Sequence, residues 1–207
     1  MSEPMNSVGF DLDMTLADTR AGIAAVYDEV SRHMGVFIDS AAVVARLGPP
    51  LEWELANWLP PEEIAGAAAF FRSLYPSIAV PVTVPMPGAR EAVEAVRRGG
   101  GRVVVVTGKN ARDAASTVEF LGLDVDEVAA RSSGPPRGSH EFRRLRLCGR
   151  SRRRHRGGAG GGVVSVAVAT GLYPRGELHD HGADVVLGDL TEFTEWFDGW
   201  RTPASLV

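Results

Sequence analysis

The chain of 207 residues contains one cysteine, Cys148, and one lysine, Lys109. A lone cysteine cannot close an internal disulfide, so the fold does not depend on an oxidising compartment. No stretch approaches the roughly 18 apolar residues that cross a bilayer. The opening segment MSEPMNSVGF has neither the basic start nor the apolar run of a secretory signal. A cytoplasmic location without a membrane partner is therefore expected. The five histidines are scattered without metal-ligand spacing, and His179 and His181 read as surface residues. Aromatic residues make up only 7%, and Trp53, Trp58, Trp196 and Trp200 read as packing side chains. What is present is 44% hydrophobic and 23% charged, which excludes a disordered tail and suits one domain or one domain plus a small insert.

The net charge of -4 hides an asymmetry. Ten of the 21 arginines fall between Arg131 and Arg156 with one acid, Glu141, a local +9 that leaves -13 on the rest. Together with the GGAGGG run from Gly157 to Gly162, this makes an anomalous Arg/Gly-rich segment over residues 131–162. Arg150, Arg152, Arg153, Arg154 and Arg156 concentrate positive charge that suits a polyanion. Interleaved aromatics and a nucleic-acid module are missing, so a solvated loop is the plainer reading and nucleic acid is not the expected partner.

The run Ser7-Val8-Gly9-Phe10 reads as a short buried strand that delivers acids to its C-terminal end. Ile23, Val26, Tyr27, Val30 and Met34 then recur at helical spacing and stop at Gly35. Helical spacing continues to about Leu74, punctuated by Gly48-Pro49-Pro50 and Pro60-Pro61, which predicts a helical insert. A further helix covers Ala89 to Val96. The run Val103 to Val106 shows no alternation and predicts a strand covered on both faces. Helices at Ala111 to Leu121 and Glu192 to Trp200, with strands at Val163 to Val168 and Asp184 to Leu187, complete an open α/β sheet.

The chemistry is concentrated in Asp11-Leu12-Asp13-Met14-Thr15. Two carboxylates two residues apart at a strand end repel unless a cation lies between them or one is protonated. A hard divalent ion such as Mg²⁺ meets that condition with oxygen ligands. One acid can then attack phosphorus while the other protonates the leaving oxygen and later activates water. An Asp-x-Asp pair can also be no more than a turn; its place after an apolar strand favours the chemical reading.

These residues resemble the first motif of the haloacid dehalogenase superfamily, an apolar strand followed by Asp-x-Asp-x-Thr, with Met14 where that family usually has glycine. The resemblance implies a Rossmann-like parallel sheet flanked by helices, with a small all-helical cap inserted after the first strand. It assigns residues 1–16 and 87–207 to the core and 17–86 to the cap. It implies Asp11 as nucleophile and aspartyl-phosphate carrier, Asp13 as general acid/base, Thr15 as a loop-orienting residue and Mg²⁺ as cofactor. The second Asp implies a phosphatase rather than a dehalogenase. Val103-Val104-Val105-Val106-Thr107-Gly108-Lys109 resembles the second motif, in which Thr107 and the backbone at Gly108 seat the phosphoryl group. The helical insert and Gly48-Pro49-Pro50-Leu51 resemble phosphoglycolate phosphatases. The implied activity is Mg²⁺-dependent hydrolysis of a small phosphorylated metabolite. A different class of reading is a catalytically impaired homologue that binds phosphate ligands or a polyanion through its basic segment. A third is a phosphomutase of the same superfamily.

Two further family parts, a third-motif Lys or Arg and a fourth-motif acidic pair, are expected between about residues 135 and 160, where arginine and glycine stand instead. Lys109, the only lysine, lies two residues after Thr107, and an arginine of the anomalous segment is the other source of the cation. Asp189, in Gly188-Asp189-Leu190-Thr191-Glu192, is the remaining candidate for the metal-binding acid. The segment also reads as a stretch out of frame. With GC-rich codons, residues 155–162 shifted by one nucleotide give Ile-Glu-Ala-Ala-Arg-Ala-Ala-Gly, preceded by Asp. Sequencing the gene across this segment is expected to reveal two compensating single-nucleotide changes; an intact frame removes the reading.

Overall fold

The computed structural model describes residues 7–130, 144–148, 163–171 and 173–202. Most of the Arg/Gly-rich segment, and with it the out-of-frame reading, lies outside the described residues. The first strand, β1 (Ser7–Phe10), is followed by the two-residue β2 (Ala17–Asp18) and then four helices: α1 (Arg20–Met34), α2 (Ser40–Ala45), α3 (Leu51–Leu55) and α4 (Pro61–Ile78). A 3-10 turn (Val80–Val82) and β3 (Val84–Pro85) return the chain to α5 (Ala89–Arg98), β4 (Arg102–Thr107), α6 (Ala111–Leu121) and β5 (Glu127–Ala130). The remainder is β6 (Arg144–Cys148), β7 (Val163–Val168), α7 (Arg175–Asp180), β8 (Val185–Leu187), a 3-10 turn (Leu190–Glu192) and α8 (Phe193–Arg201).

The six-stranded sheet runs β5-β4-β1-β6-β7-β8. Strand β1 is parallel to β4, and β4 to β5. Strand β6 is antiparallel to both β1 and β7, and β7 is parallel to β8. Five strands therefore share one direction, as expected of a helix-flanked parallel sheet, and β6 is a reversed strand within it. The stretch Arg144-Leu145-Arg146-Leu147 does alternate polar and apolar residues, a strand signal masked by the surrounding arginines.

Among the described residues two large apolar cores stand beside a small third cluster of Ala167, Leu178 and Ala183. One packs β1, β4 and β7 against α5, α6 and α8 through Val8, Phe10, Val96, Val103, Val105, Val118, Phe193 and Phe197. Phe10 meets Phe193 edge to face at 5.6 Å between ring centroids, and a fully buried side chain of this size contributes about 2–3 kcal/mol. The other core lies within the helical unit of residues 20–82 and includes Ile23, Val26, Tyr27, Val30, Leu55, Phe71 and Tyr75. Helix α1 begins after Thr19 and ends on Gly35, whose φ of 65° gives the left-handed turn a glycine allows without penalty. Strands β2 and β3 pair antiparallel where the chain leaves and rejoins the sheet.

One expectation is corrected. Val103 and Val105 are fully buried, but Val106 is 47% exposed. The β4 run is thus packed on one face and partly open on the other. Its unbroken valines reflect β-propensity as well as burial, so absence of alternation overstated the cover. Among the described residues no helix is long and apolar enough to cross a membrane.

Gly88 precedes α5 with φ 78°, and a Cβ there would stand 2.3 Å from the backbone of Leu190 and Thr191. Gly88→Ala is expected to destabilise the protein by about 2–4 kcal/mol through the left-handed backbone and the overlap together. Urea unfolding checks this.

Candidate active site

The loop after β1 closes on a single carbonyl. The Leu12 oxygen accepts from the N–H groups of Thr15, Leu16 and Ala17 at 3.3, 3.0 and 2.9 Å, and Met14 N–H donates to Ala17 O at 2.7 Å. Met14 pays for this turn with a φ of 60°, the only positive value among the described non-glycine residues. Its side chain is 5% exposed, so burial offsets part of that strain. The Thr170 hydroxyl, just past β7, donates to Met14 O at 2.6 Å and ties the loop to the neighbouring part of the sheet.

The turn presents Asp11 and Asp13 at the C-terminal end of β1. Asp11 Oδ1 accepts from Leu12 N–H at 2.8 Å. Asp13 Oδ1 accepts from the Thr19 hydroxyl at 2.6 Å and lies 3.3 Å from Lys109 Nζ. Register places Phe10 beside Val105, so the residues following β1 and β4 emerge at the same sheet edge. There Thr107, 3% exposed, accepts from Lys109 N–H at 3.2 Å through its hydroxyl oxygen. A Cβ on Gly108 would meet nothing within 4 Å, so the backbone there faces open space. Asn110 caps α6 by accepting from Asp113 N–H at 3.0 Å.

Lys109 is largely enclosed. Its ammonium lies 4.4 Å from the centre of the Tyr75 ring, and its side chain is 10% exposed. Burial by itself pushes the Lys109 pKa down, but the Asp13 carboxylate and Tyr75 outweigh it and hold the group above its ordinary value. The balance favours the charged ammonium beside Asp13. Sequence reasoning left Lys109 and the segment's arginines as alternatives; its uniqueness in the chain was the available signal. Thr19 and Thr170 carried no signal beyond their place at element ends.

The structure brings Asp11, Asp13, Thr107, Gly108 and Lys109 to one edge. Thr15 is buried nearby at 1% exposure, but its hydroxyl has no hydrogen-bond partner among the described residues, and the loop is held instead by Leu12 O. Asp189 is not brought to the pair. It follows β8, three strands across from β1, about 14 Å at the usual strand spacing. Its Oδ1 accepts from Thr191 N–H at 2.8 Å and from the Thr191 hydroxyl, capping the turn at Leu190–Glu192. Among the described residues no group of three or more His, Cys, Asp or Glu side chains is placed to hold a metal ion.

A cleft of about 270 Å³ separates the loop from the helical unit. It is lined by Met14, Thr170 and Gly171 on one side and by Arg20, Ala41, Val44, Ala45 and Leu47 on the other. Arg20 is held by Asp18 at 2.6 Å, and the rest of the wall that faces Met14, Thr170 and Gly171 is apolar. A larger cleft of about 370 Å³ between α5 and the end of α6 is lined by Arg90, Arg97 and Asp124. It lies at the opposite sheet edge, where Arg97 bonds Asp124 and Asp126.

An α/β sheet with paired carboxylates after its first strand, and a hydroxyl and an ammonium after the adjacent one, defines a class of group-transfer enzymes. The haloacid dehalogenase-like hydrolase family matches residues 8–189, and the chain belongs to that family. No curated protein matches it. A haloacid dehalogenase-like family hydrolase from Streptococcus pneumoniae superposes with a TM-score of 0.71 at 19% identity, over 93% of this chain and 98% of that one. A predicted phosphoglycolate phosphatase from Haemophilus somnus gives 0.53 at 20% identity, over 64% and 65%. CbbY from Rhodobacter sphaeroides, solved in complex with phosphate, gives 0.53 at 17% identity, over 62% and 64%.

Asp113, in the first turn of α6, is 2% exposed. Its Oδ2 accepts from Asn110 Nδ2 at 2.5 Å, while Oδ1 has no hydrogen-bond partner among the described residues. Burial raises its pKa against the opposing pull of Asn110 and Lys109. A carboxyl with a raised folded-state pKa contributes stability in full below its unfolded value, about 4, and loses it as pH rises through the folded value. Asp113→Asn, which cannot ionise, is expected to gain stability relative to the parent as pH rises from about 4 to 7. Chemical denaturation across that range reads the difference, and a constant difference would contradict the assignment.

Proposed function

We propose that this chain is a phosphomonoester hydrolase that works through an aspartyl-phosphate on Asp11. The observation that carries the reading is the meeting, at one sheet edge, of Asp11, Asp13, Thr107, Gly108 and Lys109. An Asp11 oxygen attacks phosphorus, and the bond from phosphorus to the leaving oxygen breaks. Asp13 gives that oxygen a proton, then takes one from the water that attacks the acyl phosphate and frees Asp11. The Thr107 hydroxyl and the backbone N–H at Gly108 hold the phosphoryl oxygens, and the Lys109 ammonium offsets their charge.

Mg²⁺ commonly takes only one or two carboxylates from a protein, with water and phosphate supplying the rest. Asp11 and Asp13 are oxygen donors of that kind and would hold it; bound there, it would lower the electrostatic cost of bringing an anion to a carboxylate. Asp189 is not in this set. The helical unit serves as the cap: with the loop it bounds the cleft beside Met14 and Thr170, and its seating over the sheet end would restrict water during reaction. A helical unit standing over the sheet end favours a small phosphorylated metabolite over a macromolecular phosphate, in keeping with a cytoplasmic enzyme. The second reading, phosphate binding without turnover, draws on the absence of a third nearby acid among the described residues.

Phosphate release from an aryl phosphate is expected to require Mg²⁺ and to fall by about a thousandfold or more in Asp11→Asn. Phosphate binding without release by the parent protein would favour the second reading.

A further inference from the structure

The Lys109 ammonium has two carboxylates within reach of its own region. Asp13 Oδ1 lies 3.3 Å away. Asp113 stands four residues later on α6, its Oδ1 without a hydrogen-bond partner among the described residues, and its charge interacts with Lys109. A lysine stem has several rotamers of similar energy. The feature that covers the ammonium comes from neither acid: it is the ring of Tyr75, 4.4 Å from Nζ and fully buried. Tyr75 belongs to α4 of the helical unit, whereas Lys109 and Asp13 belong to the sheet loops. Its hydroxyl lies 3.5 Å from Thr117 Oγ1 on α6. The ring is thus fixed from both sides, by the core of the helical unit and by α6.

We propose that Tyr75 is a positioning residue: its ring face holds the Lys109 ammonium on Asp13, so the cation of the site is set in place only while the helical unit is seated on the sheet. An ammonium over an aromatic face is attracted by the ring quadrupole, most strongly where water is excluded. Withdrawing α4 removes the ring and opens Lys109 to solvent in one movement. Docking of the helical unit and assembly of the charged site become a single event. This rests on the hydrolase reading only for its kinetic consequence.

The single lysine makes the test direct. An amine-acylating reagent can modify Lys109 and the α-amino group, and peptide mass mapping separates the two rates. Tyr75→Phe keeps the ring face, while Tyr75→Met keeps an apolar side chain without it; thermal melting establishes that each is folded. Lys109 acylation is expected to remain within twofold of the parent in Tyr75→Phe and to rise about fivefold or more in Tyr75→Met. With aryl phosphate, Tyr75→Met should lose about fivefold in kcat with little change in KM, and Tyr75→Phe should restore it. A folded Tyr75→Met with parental acylation and kcat overturns the proposal. So does a Tyr75→Phe as readily acylated as Tyr75→Met. If the parent releases no phosphate while the acylation pattern holds, the hydrolase reading falls and the placement of Lys109 by Tyr75 stands.

Discussion

Two carboxylates held two residues apart at the end of a buried strand repel each other, and the structure around residues 11–19 is organised to tolerate them. Asp13 receives a hydroxyl from Thr19 and an ammonium from Lys109. Asp11 accepts the next backbone N–H. The turn that presents both is anchored on the Leu12 carbonyl and tied down by Thr170. Donors fixed in advance stabilise charge without having to reorganise when a reaction moves it. The left-handed backbone of Met14 is the strain that accompanies this arrangement.

The legible parts of the sequence were those in which one local pattern decides the outcome. An apolar run ending in Asp11 and Asp13, and a valine run ending in Thr107, identified the two strands whose ends carry the candidate site. Spacing marked α1, α5 and α6 with their terminal glycines. Contacts between distant segments left no such trace. Tyr75 falls on the apolar stripe of α4, so periodicity reports that it is buried without reporting that it covers Lys109. The pairing of β6 with both β1 and β7 depends on five residues whose alternation is obscured by neighbouring arginines. Asp189 followed a strand, as a site residue should, but strand order along the sheet, which sets its distance from Asp11, is a property of the assembled chain.

The helical unit is more than a cover. Its core includes residues from α1 to the turn at Val80–Val82, and it also contains a nearly buried charge, Glu54. Arg46 and the Trp58 indole N–H satisfy that carboxylate, with Trp58 Nε1 at 2.9 Å. A buried carboxylate bonded in this way is costly to leave with fewer partners, so it fixes α2 and the segment after it in one arrangement. The wall of the cleft carried by Val44, Ala45 and Leu47 gains its definition from a network that does not itself line it.

The ribbon of β2 and β3 carries a mechanical consequence. Both crossings between the sheet and the helical unit pass through it, paired Ala17 to Pro85 and Asp18 to Val84. Neither crossing can slide along the other without breaking the hydrogen bonds of the strip, so the outgoing and returning chain are coupled at the joint. A change that shifts one crossing is carried to the other.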